Sequence, residues 1–123
     1  GPVVLVANQY SGSDGDIVNA NAQQMGLGPV VGVRTWGGVV GIDGRYALVD
    51  GTRVTQPRYS FVFNDRGWVV EGHGVDPDIE VEHAPGDTLA DRDHQLDRAV
   101  DEALDGLART PAATPPPMEG PRA

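Results

Sequence analysis

Ser13 is the point at which this chain could carry out nucleophilic chemistry. It lies between an apolar run, Val3 to Ala7, and a helix-like stretch that ends at Met25. A serine at such a strand-to-helix turn stands beside unpaired backbone N–H groups at the positive end of the helix dipole. Its hydroxyl can attack a carbonyl carbon while the next backbone N–H stabilises the oxyanion. Taken alone, however, the pattern favours a simpler role, in which Ser13 or Asp14 only caps the helix.

Three ordered segments change this interpretation. They are Asn8-Gln9-Tyr10-Ser11-Gly12-Ser13-Asp14-Gly15-Asp16, then Val33-Arg34-Thr35-Trp36-Gly37-Gly38-Val39-Val40-Gly41-Ile42, and finally Glu71-Gly72-His73-Gly74-Val75-Asp76-Pro77-Asp78-Ile79-Glu80-Val81. Together they resemble the tricorn-type serine proteases, which are relatives of the C-terminal processing peptidases. The match runs from about residue 3 to about residue 108. It covers only the C-terminal part of the family's catalytic domain, without the propeller, PDZ and histidine-bearing regions.

The resemblance implies a role for several residues. Ser13 would be the nucleophile, and the backbone N–H of Asp14, rather than its carboxylate, would belong to the oxyanion hole. Glu71 would act through a second serine to orient a histidine, and the negative charge of such an acidic member stabilises the imidazolium that forms. The histidine, the second serine and a further oxyanion-hole glycine are expected upstream of this sequence. For Glu71, the alternative is a surface carboxylate.

The segment that contains Trp36, Gly37 and Gly38 is expected to wall the substrate pocket beside Ser13. Packing of Trp36 in the core is an equally good interpretation. The reaction implied is peptide-bond hydrolysis through an acyl-enzyme on Ser13, with peptides as substrates, no cofactor, and assembly into homo-oligomers. These 123 residues alone are expected to be inactive. The alternative is a non-catalytic acidic α/β domain, either an assembly module or a degenerate remnant.

Other candidates for chemistry are weaker. Ser11 is the nearest rival nucleophile, but the motif aligns Ser13 with the catalytic position. A self-contained triad of Ser13, His73 and Glu71 is possible, although His73 lies between two glycines and the family takes its base from elsewhere. His83 and His94 are expected to be structural. No metal site is predicted, although the acidic residues include six that could suggest a hard cation, namely Asp14, Asp16, Asp76, Asp78, Glu80 and Glu82.

Alternating elements must position these residues. The run Val3–Ala7 predicts a strand buried on both faces, Asp16–Met25 a short helix ended by Gly26, and Val30–Arg34 a second strand. Strand, helix and strand in about thirty residues indicate a βαβ unit with parallel strands. The resemblance implies an α/β sandwich of the ClpP/crotonase type with a mostly parallel sheet.

The segments that follow predict short strands and one long helix. The expected strands are Val39–Ile42, Tyr46–Val49, Thr52–Thr55, Tyr59–Phe63 and Trp68–Glu71, with a tight turn at Asp50-Gly51. Apolar residues at helical spacing, from Leu96 to Leu107, predict an amphipathic helix from Asp91 to about Arg109 that packs on the sheet or on another subunit. Residues 1–109 are therefore assigned to the partial catalytic domain, and the proline-rich residues 110–123 to a disordered tail.

Composition excludes several classes of function. The 123 residues carry a formal net charge of −9, from 18 Asp or Glu against 9 Lys or Arg. Nucleic acids and anionic membranes attract basic proteins, so neither is an expected partner. No apolar run approaches the roughly 18 residues of a membrane span, and the N-terminus lacks the charged region of a signal peptide. The absence of cysteine excludes disulfides and fits a cytoplasmic protein.

Overall fold

The computed structural model describes residues 1–111, 113–118 and 120. Within these residues, five short strands and two α-helices follow one another, with a 3₁₀ turn at Thr88–Ala90 before the second helix. The strands are β1 (Leu5–Ala7), β2 (Val30–Gly32), β3 (Gly41–Asp43), β4 (Gln56–Tyr59) and β5 (Ile79–Glu80), and the helices are α1 (Asp14–Met25) and α2 (His94–Arg109).

A three-stranded parallel sheet joins two strands from the start of the chain to one from residues 79–80. Its strand order is β1-β2-β5, with Leu5 opposite Val30 and Val31 opposite Ile79. The parallel pairing of β1 and β2 through α1 confirms the predicted βαβ unit. A separate antiparallel pair joins β3 to β4. The chain is therefore a mixed α/β fold with a mostly parallel sheet, as expected.

Helix α1 is ended by the glycine that the sequence indicated. Gly26 adopts a left-handed conformation with φ 62°. Its N–H donates to the carbonyl of Gln23, and the N–H of Leu27 donates to that of Ala22, so two of the last carbonyls of the helix are satisfied. The helix begins at Asp14, two residues before the predicted start, and this places Ser13 directly at its N-terminus.

The main apolar cluster lies between α1 and loops from the middle of the chain. Its buried members are Ala20, Val39, Phe63, Val70 and Val75, and Ile17 packs against them. Full burial of a valine side chain contributes about 1.5–3 kcal/mol relative to exposure. These loops are thus held against the helix that follows Ser13 although they contain little regular structure.

The middle of the chain differs from the predicted strands. The predicted pair Tyr46–Val49 and Thr52–Thr55 is reduced to a single bridge between Ala47 and Arg53 around the turn at Gly51. The partner of β3 is Gln56–Tyr59, whereas most of the predicted strand Tyr59–Phe63 is irregular. The prediction of a strand at Trp68–Glu71 is wrong, because this segment forms turns.

Turns replace that strand because the carbonyl of Val70 is used locally. It accepts the N–H groups of His73 at 3.3 Å and Gly74 at 2.8 Å, so it faces its own segment instead of a sheet. Gly72 and Gly74 permit this path with φ values of 77° and 90°. Glu71 is therefore presented from a turn and not from an extended strand.

Helix α2 packs against β1 and β2. Its N-cap is Asp93, whose side chain accepts the N–H of Leu96. Gln95 and Ala99 are buried, and the amide of Gln95 donates to the carbonyl of Val81 at 2.8 Å. The apolar residues that predicted the helix remain 42–59% exposed, namely Leu96, Val100, Leu104 and Leu107.

The proline-rich end adds no regular element among its described residues, 110–111, 113–118 and 120. The predicted disorder also concerns residues 112, 119 and 121–123, which lie outside the described residues. Of the helices in the described part of the chain, neither is long and apolar enough to cross a membrane.

Candidate active site

Ser13 lies at the N-terminus of α1 in an unusual backbone conformation. Its φ is 55° and its ψ is −112°, and its side chain makes no capping hydrogen bond among the described residues. A non-glycine residue at positive φ costs on the order of 1–3 kcal/mol, and such strain concentrates at functional sites. The residue is exposed. Its hydroxyl is therefore presented to solvent instead of capping the helix.

Ser11, the rival nucleophile, is part of the turn that supports Ser13. Its Oγ accepts the backbone N–H of Asn8 at 3.1 Å, and its carbonyl accepts the N–H of Trp36 at 3.0 Å. The residue is half-buried. The first contact stabilises the turn itself and the second joins it to the loop that begins at Thr35, so Ser11 has a structural function here.

A cavity of about 290 Å³ lies beside Ser13. We call it the Ser13 cavity, and its lining residues are Ser13, Trp36, Gly38, Val40, Gly41, Ile42 and Glu71. Four of the residues that the sequence singled out thus come together in space, although they are distant in sequence. Gly37 lies in sequence between the lining residues Trp36 and Gly38 but does not itself line the cavity. Asp14 is the first residue of α1, where backbone N–H groups have no partner within the helix.

Trp36 forms one side of the Ser13 cavity and is not a core residue. It is 69% exposed, so the core-packing interpretation is wrong. Its ring lies against two glycines, because an added Cβ would fall 2.8 Å from its Cε3 at Gly12 and 2.5 Å from its Cζ3 at Gly38. Side chains at either glycine would displace the indole. The glycines therefore shape the wall of the cavity.

Glu71 is oriented by backbone donors across the cavity. Its Oε2 accepts the N–H of Val39 at 2.8 Å and the N–H of Val40 at 2.7 Å. Hydrogen bonds to an ionised acceptor are stronger than neutral ones, so the pair holds the carboxylate firmly. The other oxygen, Oε1, has no hydrogen-bond partner within the described part of the chain. One carboxylate oxygen thus remains available to an outside donor.

Asp16 is a residue that the sequence analysis missed as part of the site. It is fully buried, at 0% exposure, and its carboxylate accepts the hydroxyl of Thr35 and the N–H groups of Gly37 and Gly38. In the sequence it was only one of several acidic residues. The sequence did contain one signal, since the N–H groups of Gly37 and Gly38 need an acceptor. That signal does not show which residue provides the acceptor.

His73 is placed at a different cavity. Its Nε2 lies 2.8 Å from Oδ2 of Asp76, and its Nδ1 lies 3.4 Å from the guanidinium of Arg34. The second cavity, of about 580 Å³, is lined by His73 together with Gln23, Arg66, Val69, Gly74, Val75 and Asp76. His83 and His94 stand at 3.5 Å from carboxylates of Asp93 and Asp87. Among the described residues, no histidine lines the Ser13 cavity.

No three histidine, aspartate or glutamate side chains of the described residues come together in a way that could hold a metal ion. Six carboxylates raised that possibility in the sequence. The buried one, Asp16, binds protein donors instead.

The comparison with known proteins settles the family. The family model for peptidase family S41 matches residues 1–81. This chain belongs to peptidase family S41. Tricorn protease homolog 1 of Streptomyces coelicolor is 64% identical over 118 residues, which cover 96% of this chain and 11% of that protein. Tricorn protease of Thermoplasma acidophilum is 49% identical over 107 residues, covering 87% of this chain and 10% of the relative.

The solved structures agree. A crystal structure of the tricorn protease matches with a TM-score of 0.84 at 48% identity, covering 88% of this chain and 11% of that chain. The predicted resemblance and the predicted fold class are thereby confirmed. The chain spans about 11% of the length of Tricorn protease homolog 1.

Proposed function

We propose that the protein to which this chain belongs is a serine peptidase that hydrolyses peptide bonds through an acyl-enzyme on Ser13. One observation carries the proposal: the exposed, strained Ser13 shares a cavity with Glu71, whose carboxylate is oriented by two backbone N–H groups. The relatives at 64% and 49% identity are named proteases, which supports the same activity.

The chemistry would proceed in two steps. In the first, Ser13 Oγ bonds to the scissile carbonyl carbon, its proton passes to a histidine, and the C–N bond breaks as the amine leaves with that proton. In the second, water attacks the ester carbonyl carbon, the histidine takes a proton from the water, and the ester C–O bond breaks as Ser13 Oγ leaves with that proton. The N–H of Asp14 would stabilise the oxyanion in both steps.

The histidine is proposed to come from outside these 123 residues. The observation behind this is that the three histidines of the chain, His73, His83 and His94, are engaged elsewhere. Glu71 would then act on the incoming histidine through its free Oε1 or through a second serine. On this proposal the 123-residue polypeptide alone is inactive.

Peptides are the proposed substrates. The wall beside Ser13 includes the exposed indole of Trp36, Gly38 and the exposed side chain of Ile42. An apolar wall with glycine backbone suits a peptide chain, which brings both apolar side chains and backbone hydrogen-bonding groups. Neither a cofactor nor nucleic acid enters the proposed reaction.

A fluorophosphonate, which reacts with activated serines, tests the proposal in the intact protein. We expect labelling at Ser13 in the wild type, none in Ser13→Ala, and unchanged labelling in the control Ser60→Ala, because Ser60 is exposed and lies outside the site. An intact, folded protein that takes no label would favour the alternative of a non-catalytic assembly module or degenerate remnant. Labelling at another serine would overturn the assignment of Ser13 as the nucleophile.

Homo-oligomeric assembly is also proposed, and the exposed apolar side chains of α2 support it. Leu104, for example, is 59% exposed, while the other face of the helix packs on the sheet. Light scattering of the intact protein should show an oligomer that Leu104→Asp weakens, and a monomeric wild type would refute the idea. A cytoplasmic location is proposed from the lack of cysteine and can be checked by cell fractionation.

A further inference from the structure

We propose that Asp16 is a positioning residue of the peptidase site, which fixes the substrate-binding wall relative to the helix that bears Ser13. The inference rests on the proposed function. The carboxylate of Asp16 accepts hydrogen bonds from the loop of residues 35–38. Through Thr35 it is also linked to the segment that carries Glu71.

Burial and hydrogen bonding single out Asp16. The residue is at 0% exposure, and its Oδ1 accepts the N–H of Gly37 at 2.6 Å and the hydroxyl of Thr35. Its Oδ2 accepts the N–H of Gly38 at 3.0 Å. A buried carboxylate is costly unless donors compensate it, and here three donors from one loop do so. The conformation of the loop is therefore tied to this side chain.

Thr35 extends the link to the third segment of the site. Its Oγ1 donates to Asp16 and accepts the N–H of Val75 at 2.8 Å. Its backbone N–H also donates to the carbonyl of Val75 at 3.1 Å, and Gly72 donates to the carbonyl of Gly37 at 2.9 Å. The pocket wall and the Glu71 segment consequently form one hydrogen-bonded unit, attached to α1 through Asp16.

Ser13 does not depend on Asp16 in the same way. The N–H of Ile17 donates to the carbonyl of Ser13 at 3.0 Å, and the N–H of Gly15 donates to that of Gly12 at 2.9 Å. These backbone bonds hold the nucleophile on α1 without the Asp16 side chain. Val70 and Val75, on either side of Glu71, also pack against α1 in the apolar cluster without the carboxylate. Loss of the carboxylate should therefore shift the wall, with Trp36 and Gly38, more than it shifts the nucleophile or Glu71.

The variant Asp16→Asn in the intact protein separates an effect on the wall from an effect on the nucleophile. The amide fits the site but presents an N–H₂ group where one oxygen accepted donors, so at least one backbone N–H loses its acceptor. We expect kcat/KM for a short fluorogenic peptide to fall 10- to 100-fold, mainly through KM. Labelling by a small fluorophosphonate, which needs the nucleophile but little of the wall, should stay within about threefold of wild type. Asp101→Asn, an exposed acid on α2, is the control for loss of charge.

Three outcomes would contradict either the proposed function or the positioning role of Asp16. Wild type that takes no label refutes the proposed function itself. Wild type that is labelled while Asp16→Asn keeps its peptide KM overturns the positioning role alone. Parallel loss of labelling and peptide turnover also overturns it, since this is what a merely structural residue would give.

A second pair of variants covers the case in which Asp16→Asn does not fold. Thr35→Val removes the hydroxyl that joins Asp16 to Val75 at nearly constant volume, whereas Thr35→Ser keeps that hydroxyl. We expect Thr35→Val to raise the peptide KM about tenfold and Thr35→Ser to leave it within twofold. Equal KM values for the two variants would contradict the proposal.

Discussion

The backbones of Gly37 and Gly74 lie in direct contact. A Cβ added at Gly37 would fall 2.6 Å from the backbone nitrogen of Gly74, and both residues have positive φ, 84° and 90°. No side chain fits between them. Because Gly37 lies in sequence between the wall residues Trp36 and Gly38, and Gly74 follows Glu71 by three residues, this contact sets the distance between the two halves of the proposed site.

Gly74→Ala should therefore destabilise the protein by about 2–5 kcal/mol, combining left-handed strain of about 1–2 kcal/mol with overpacking of about 1–3 kcal/mol. The new Cβ would lie 2.3 Å from the carbonyl oxygen of Thr35, which cannot move without breaking the loop. Urea denaturation of the intact protein measures the change. Gly86→Ala is the control, because nothing lies within 4 Å of its added Cβ. Equal stability of the two variants would contradict the close packing described.

Gly12→Ala should change substrate binding with little effect on stability. The three atoms nearest to its added Cβ all belong to the side chain of Trp36, and the exposed indole can swing away. We expect KM for a short peptide to rise roughly tenfold, which corresponds to about 1.4 kcal/mol of binding free energy. Gly44→Ala, with open space around its Cβ, should keep the wild-type KM. An unchanged KM in Gly12→Ala would remove Trp36 from the pocket.

Ser13→Ala should abolish peptidase activity while the protein stays folded. Removal of a member of a catalytic unit lowers the rate by about 10⁴- to 10⁶-fold. The side chain is exposed and makes no capping hydrogen bond among the described residues, so its loss opens no core cavity. Steady-state kinetics and a thermal melt of the intact protein give the two readings. Activity within tenfold of wild type would end the assignment of Ser13.

Glu71→Gln and His73→Asn should differ sharply. The glutamine can still accept the N–H groups of Val39 and Val40, so geometry is kept while the negative charge is lost. We expect kcat to fall by about 10² to 10⁴ with a modest change in KM. His73→Asn, which disturbs only the contacts with Asp76 and Arg34, should cost about tenfold at most.

Rates across pH 6 to 9 test this pair of variants. A histidine variant as inactive as Ser13→Ala would place the general base inside this chain. The proposed histidine from outside the 123 residues would then have to be abandoned.

Asp87 should contribute stability that is lost in acid. The N–H of Ala84, followed by the charges of His94 and Arg92, holds the pKa of this carboxyl below its ordinary value of 3.8. A lowered folded-state pKa gives stability that is fully present above the unfolded-state pKa and disappears as the pH falls through the folded-state pKa. The melting temperature of Asp87→Asn should thus lie below that of wild type at pH 6, and the difference should shrink towards pH 3. A constant difference over this range would show that the charge is not responsible.

Local pattern was sufficient for the βαβ unit. The apolar run before Ala7, the helix ended by Gly26 and the strand that begins at Val30 each carry their signal within a few neighbouring residues. For the segment from Trp68 to Glu71, the predicted strand was wrong because the local pattern was not sufficient. Its apolar residues suit a strand, but the glycines around it allow turns, and no partner strand lies beside it in the described fold.

The sequence alone determined the family, the parallel α/β core and the identity of Ser13 and Glu71 as candidates, because ordered motifs and periodicity are properties of the chain itself. Only the tertiary structure decided that Trp36 is exposed, that Glu71 is held by Val39 and Val40, and that Asp16 is buried under the pocket wall. The physical reason is that a hydrogen bond or a contact depends on distance in space. Residues twenty to thirty positions apart meet only after the apolar cluster has packed the loops against α1.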